Sequence, residues 1–229
     1  EEEDRQIANE VPREFKHIES IDFDHVWFSY DNNDVYALED FTLSIKAGEF
    51  IGIVGPSGSG KSTLLSLLMG LYKPTKGAIY INDIDIANYD SSVLRHLMGY
   101  VFQQAYLFKG SIKDNLTLFD TSISFDDMVD AAKQVNLDSM IEQLPEGYNT
   151  PVGYLGSLLS DGQKQLLAFG RTLIRKTPIL LLDEATANID SHTEKQIQAS
   201  IENIRGTKTI VSIAHRLSTV QDANKIVYM

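Results

Sequence analysis

The stretch GPSGSGKS, residues 55 to 62, sets four residues between a glycine and a Gly-Lys-Ser triplet, and lies between an apolar run and a helix-like segment. Glycines in this pattern let successive backbone N–H groups turn inward around an anion at a helix start, where the helix dipole adds partial positive charge. Lys61 is then placed to reach the β- and γ-phosphates of a nucleotide, and the Ser62 hydroxyl to take one Mg²⁺ position. A second stretch, ILLLDE at 179 to 184, is an apolar strand with two acids at its carboxyl end, where open α/β sheets bind ligands. Asp183 suits a Mg²⁺ position through water, and Glu184 suits accepting a proton from an attacking water. His215 follows another strand-like run, TIVSIA, at a place from which a γ-phosphate is within reach. A lone histidine or an acid ending a strand is commonplace. Together with the phosphate loop they point to nucleotide chemistry.

These side chains need elements to hold them. From Ile21 the pattern is β: IDFDHVWFSY, then FTLSIKAGEF with alternating Phe41, Leu43 and Ile45 and a turn at Gly48, then the buried strand FIGIV at 50 to 54. A helix is expected from about Lys61 to Gly70, followed by the strands GAIYI and YVF, the latter at 100 to 102. Residues 111 to 175 read as mostly helical, with Ser124 capping FDDMVDAAKQV and a Gly- and Pro-containing loop before QKQLLAFGRTLI. Then ILLLD, a helix opened by a capping box from Ser191 to Glu194, TIVSI and KIVYM complete a β/α alternation. Such a series implies an α/β fold with a largely parallel sheet and helices on both faces.

Bulk composition sets limits. The chain has 229 residues, 43% of them apolar and 23% charged, with a net charge of −12, so a general nucleic-acid surface is not expected. The absence of cysteine excludes disulfides and thiolate metal sites. Its longest apolar runs, such as LLSLLMGLY, fall short of the roughly 20 residues a membrane-spanning helix needs, so a soluble piece is expected. Residues 1 to 20 read as a charged arm, and the ends suggest a piece of a longer polypeptide.

Taken in order, GPSGSGKST, VFQQAYLFKGSIKDNL, LSDGQKQLLAFGR, ILLLDEATANID and SIAHRLST resemble the nucleotide-binding domain of an ABC transporter, with the exporter type the closest match. The resemblance covers residues 21 to 229 and implies a RecA-like P-loop NTPase core with an antiparallel β subdomain and an inserted α-helical subdomain. It places core and β subdomain at 21–103 and 176–229 and the helical subdomain at about 104–175, with 1–20 following a membrane domain. It implies ATP and Mg²⁺ as ligands, held by Gly55, Ser57, Gly58, Ser59, Gly60, Lys61, Ser62 and Thr63, with Tyr30 stacking on adenine. Mg²⁺ falls to Ser62, Gln103 and Asp183, and hydrolysis to Glu184, Gln103 and the switch histidine His215. Asp190 corresponds to an acid that communicates across a dimer. The implied partners are a transmembrane domain of the same polypeptide at the cytoplasmic face of the cell membrane, and a second ATPase domain. A soluble ABC ATPase of DNA repair or translation is the alternative, disfavoured by the charge; a phosphotransferase would need neither Glu184 nor the signature helix.

In the family, the start of the signature helix, here Ser160, Gly162 and Gln163, completes the cage around the partner's γ-phosphate. The family pattern LSGGQ is LSDGQ in this chain, with Asp161 in place of the first glycine. At about 7 Å and an effective dielectric near 20, like unit charges repel by on the order of 2 kcal/mol, enough to oppose closure. This favours a heterodimer with unequal sites over a homodimer in which Asp161 turns to solvent. Tyr154 stands where the exporter loop TxVGExG has its glutamate, which puts the usual contact with the membrane domain in question.

Overall fold

The computed structural model describes residues 17–31, 35–185, 189–214 and 217–229. Contacts divide the chain into two units, one of residues 1–98, 178–181 and 206–229, the other of 99–177 and 182–205.

The first unit contains an antiparallel sheet of β1 (Ser20–Phe28), β2 (Leu38–Lys46), β4 (Lys76–Ile81) and β5 (Ile84–Asp85), in the order β2-β1-β4-β5. Ile21 sits opposite Ile45 on one side and Ile81 on the other, and all three are buried. Alternation along the strands turns this apolar row to one face. β3 (Phe50–Val54), β8 (Thr209–Ile213) and β9 (Lys225–Tyr228) pair in parallel, and with β6 (Met98–Val101) and β7 (Ile179–Asp183) they form a sheet of order β6-β7-β8-β3-β9. β8 is buried along its whole length and β3 in four of its five residues, as near-continuous apolar runs require. Helix α1 (Lys61–Leu68) buries Leu64, Leu65, Leu67 and Leu68. Helix α2 (Ser91–Leu97) was not foreseen; Asp90 caps it by accepting from the Ser92 amide at 2.7 Å.

The second unit is mainly helical: α3 (Ile112–Thr117), α4 (Phe125–Gln134), α5 (Asp138–Glu142), α6 (Asp161–Ile174) and α7 (Ser191–Ile204). α6 is its spine, packing on α3, α4 and α7 and burying Leu166, Leu167, Phe169 and Leu173. Ser111 and Ser124 cap α3 and α4, in each case accepting from an amide three residues on at 3.1 Å. Two expectations are corrected. The strand expected at 100–102 lies at Met98–Val101, which leaves Phe102 outside it and 58% exposed. The cap of α7 is Asp190, not Ser191, because its carboxylate reaches the amides of both His192 and Thr193 at 3.0 Å.

Among the described residues no helix is long and apolar enough to cross a membrane.

Candidate functional site

The phosphate loop joins β3 to α1 within the first unit. α1 opens on Gly60 without a side-chain cap, and a helix N-terminus, where amides lack intrahelical acceptors, is a place for an anion to dock. Gly60, just ahead of Lys61, has φ +94°, and a Cβ there would lie 2.3 Å from the Ala37 carbonyl oxygen, so any side chain would be both strained and blocked. Lys61 is buried, and its Nζ donates to the carbonyls of Gly55 at 3.0 Å and Pro56 at 2.7 Å. Those bonds close the loop on itself and leave the third ammonium proton for a ligand oxygen. The Ser59 hydroxyl is buried with no hydrogen-bond partner among the described residues. A buried donor in that state calls for an acceptor from outside the chain. Uncapped amides, an ammonium and an orphaned hydroxyl together fit a polyphosphate.

Tyr30 lies beside this loop, its hydroxyl 2.9 Å from the Thr63 hydroxyl. Edge-on contacts with Phe28 at 4.8 Å and Tyr72 at 5.3 Å hold the ring. The residue remains 55% exposed, which suits stacking on a flat aromatic ligand.

The second unit carries the acids. β7 is buried until Asp183, where its side chains emerge, and Glu184 follows with φ +50°, a left-handed conformation that a glutamate adopts at a cost. Gln103 Nε2 donates to Glu184 Oε2 at 2.6 Å, so two residues singled out from the sequence meet. Tyr100, which sequence reasoning passed over as a strand residue, donates its hydroxyl proton to Asp183 Oδ2 at 2.7 Å. Burial first, and then the Asp183 bond, push the Tyr100 phenol well above its usual range, so it stays a donor at neutral pH.

At the start of α6 the Ser160 hydroxyl accepts from the Gln163 amide at 3.2 Å, while the Gln163 side chain accepts from the Ser160 amide at 2.9 Å. This is a complete capping box. Gly162 abuts α7: a Cβ on it would sit 2.5 Å from the Thr193 hydroxyl. Asp190 accepts from that same Thr193 hydroxyl at 2.7 Å, and this bond, with the amide bonds of the cap, holds its carboxyl below the usual range. Asp161 points outward and takes the Lys164 ammonium at 2.9 Å, a partner the sequence reading missed although an acid three residues before a lysine in a helix is a readable signal. Gln103, Gln104, Asp161, Lys164 and Gln165 border one cleft of about 290 Å³. His215 lies outside the described residues. Tyr154 is 79% exposed.

A buried network holds the loop after Gln103. The Asn115 side chain donates to the carbonyls of Phe108 at 2.9 Å and Ser111 at 3.0 Å and accepts from the Phe108 amide at 2.8 Å. Arg171 of α6 donates to the Asn115 and Tyr106 carbonyls at 2.9 and 3.1 Å, and its guanidinium lies over the Phe108 ring.

Comparison with known proteins agrees with these features. The ABC transporter family matches residues 38–187. An ATP-dependent lipid A-core flippase of Alkalilimnicola ehrlichii is 42% identical over 210 residues, which is 91% of this chain and 36% of that protein. A probable ABC transporter ATP-binding/permease protein of Haemophilus influenzae is 39% identical over 93% of this chain and 38% of its own length. The chain thus spans little more than a third of these relatives. A solved structure of a bacterial Atm1-family ABC exporter with ATP bound superposes with a TM-score of 0.87 at 39% identity, covering 96% of this chain and 38% of that one. The chain belongs to the ABC transporter family.

Proposed function

We propose that this chain hydrolyses ATP to ADP and phosphate to drive export through a transmembrane domain of the same polypeptide, at the cytoplasmic face of a membrane. The observation that carries the reading is the phosphate loop, whose uncapped α1 amides, buried Lys61 and orphaned Ser59 hydroxyl ask for a polyanion. The ATP-binding/permease organisation named for the Haemophilus influenzae relative supports the membrane partner. The arm expected at residues 1–20 would follow that domain and lead into β1, which begins at Ser20, and about 104–175 are assigned to the inserted helical subdomain.

In this reading Gly55, Ser57, Gly58, Ser59 and Gly60 wrap the phosphates with main-chain amides, Lys61 donates to their terminal oxygens, and Tyr30 stacks on the base. Ser62, Gln103 and Asp183 hold Mg²⁺, which when bound offsets the charge that develops on the phosphates. Glu184 takes the proton of the attacking water, and Gln103, donating to Glu184, keeps that carboxylate in place. His215 contacts the γ-phosphate. A second ATPase domain completes each site with Ser160, Gly162 and Gln163, and Asp161 favours a partner that differs from this chain.

Replacing Glu184 by Gln tests the chemistry. Phosphate release should fall by about a hundredfold or more, while ATP affinity stays within about twofold. Robust hydrolysis by the variant would remove Glu184 from the role of base.

A further inference from the structure

Two hydrogen bonds run side by side in the second unit, from the end of β6 and the loop after it to the end of β7. Gln103 donates to Glu184, and Tyr100 donates to Asp183 at 2.7 Å. The first joins residues that the family motifs already single out. The second involves a residue outside every motif, 83 positions from its partner.

The pair is asymmetric in stiffness. Tyr100 is a half-buried ring on a strand, held from one side by Phe102, whose ring centroid lies 4.4 Å away. An aspartate side chain has two rotatable torsions and two equivalent oxygens, so its direction is set by the groups that bond to it. A phenol anchored by packing offers one donor at a fixed point. Once Oδ2 of Asp183 accepts that proton, one oxygen of the carboxylate is tied to a fixed point and the range of directions open to Oδ1 narrows.

We propose that Tyr100 is a positioning residue for the magnesium-dependent part of nucleotide binding: its hydroxyl fixes the Asp183 carboxylate in the orientation from which Asp183 holds the ion's water shell. The proposal rests on the reading of Asp183 as a Mg²⁺ residue. It makes no claim on the phosphate loop, whose main-chain amides and Lys61 act on the phosphates directly.

Tyr100→Phe removes one oxygen and keeps the ring that packs on Phe102. Calorimetric titration of the chain with adenylyl imidodiphosphate, in excess Mg²⁺ and separately in EDTA, divides the two contributions. The variant should match the native chain in EDTA, while the gain in affinity that Mg²⁺ confers falls by about three- to tenfold, the loss expected for one hydrogen bond. In an Asp183→Asn background, Tyr100→Phe should produce no further loss. Equal weakening with and without Mg²⁺ would assign Tyr100 to the fold alone and overturn the proposal, as would an unchanged response to Mg²⁺. If the native chain itself gains nothing from Mg²⁺, the reading of Asp183 fails, and this inference with it.

Discussion

Removing the charge of Lys164 asks whether the acid at the start of α6 acts as a bare charge. A carboxylate about 7 Å from a phosphate charge is repelled by about 2.4 kcal/mol at an effective dielectric near 20. Lys164 Nζ lies 2.9 Å from Asp161 Oδ1. Even if the ammonium points straight away from the phosphate, at about 10 Å, it returns about 1.7 kcal/mol of attraction. The pair then opposes a phosphate by about 0.7 kcal/mol per unit charge, near threefold in an equilibrium constant, and by less in any other orientation. The Asp161 side chain is 79% exposed and that of Lys164 21%, so water and salt reduce all three figures. Single variants should therefore move in opposite directions. Asp161→Gly should tighten ATP-dependent pairing by up to about fiftyfold, Lys164→Gln should weaken it by on the order of twentyfold before screening, and the double variant should return to within about threefold of the native chain. Pairing can be followed by analytical ultracentrifugation with saturating ATP and Mg²⁺ in the Glu184→Gln background, at low and high ionic strength. A double variant that pairs as tightly as Asp161→Gly would show Lys164 to be a bystander and restore the unshielded acid. Single-variant effects that ignore salt would refute the electrostatic account altogether.

The network that holds the loop after Gln103 makes a stability prediction. Asn115 is fully buried, and Asn115→Ala orphans the Phe108 amide and weakens the hold of Arg171, which should cost about 3 kcal/mol in urea unfolding; a loss under about 0.5 kcal/mol would mean water replaces the amide. His25 gives a pH signature. Its Nδ1 lies 2.6 Å from Asp40, and that hydrogen bond, followed by the Asp40 charge, raises its pKa above 6.5. The pair's contribution is then complete below pH 6.5 and lost as pH rises through the higher folded value. The His25 ring resonances should titrate above 6.5 and move back toward it in Asp40→Asn, and an unmoved midpoint would exclude Asp40 as the cause.

What was legible in the sequence is what is local. The phosphate loop is a run of neighbours whose glycines and lysine act through their own backbone, and the acids of β7 are announced by the apolar run before them. The hydrogen bonds from Tyr100 to Asp183 and from Arg171 to Asn115 join residues 83 and 56 positions apart, and no periodicity carries such pairings. α2 escaped because it is seven residues long and buries only Leu94 and Leu97, too few for a helical stripe to show. Gln103 was found by resemblance, yet its bond to Glu184 was not, since side-chain direction at a strand's end depends on where the next strand stops.

The same reasoning explains where the family pattern can bend. At the start of α6, Ser160 and Gln163 are spent on each other in the capping box, and exchanging either for an apolar residue would cost about 1 kcal/mol of helix stability. Gly162 has no room, because the Thr193 hydroxyl occupies the space 2.5 Å from where its Cβ would stand. Asp161 is the one of the four whose side chain the fold does not use: it faces solvent, sits in the first turn where the dipole welcomes an acid, and finds Lys164 one turn on. For the folding of this unit, the aspartate is therefore neutral or mildly favourable. Any penalty it carries must arise when another anion approaches, which places the consequence of this substitution in assembly and turnover.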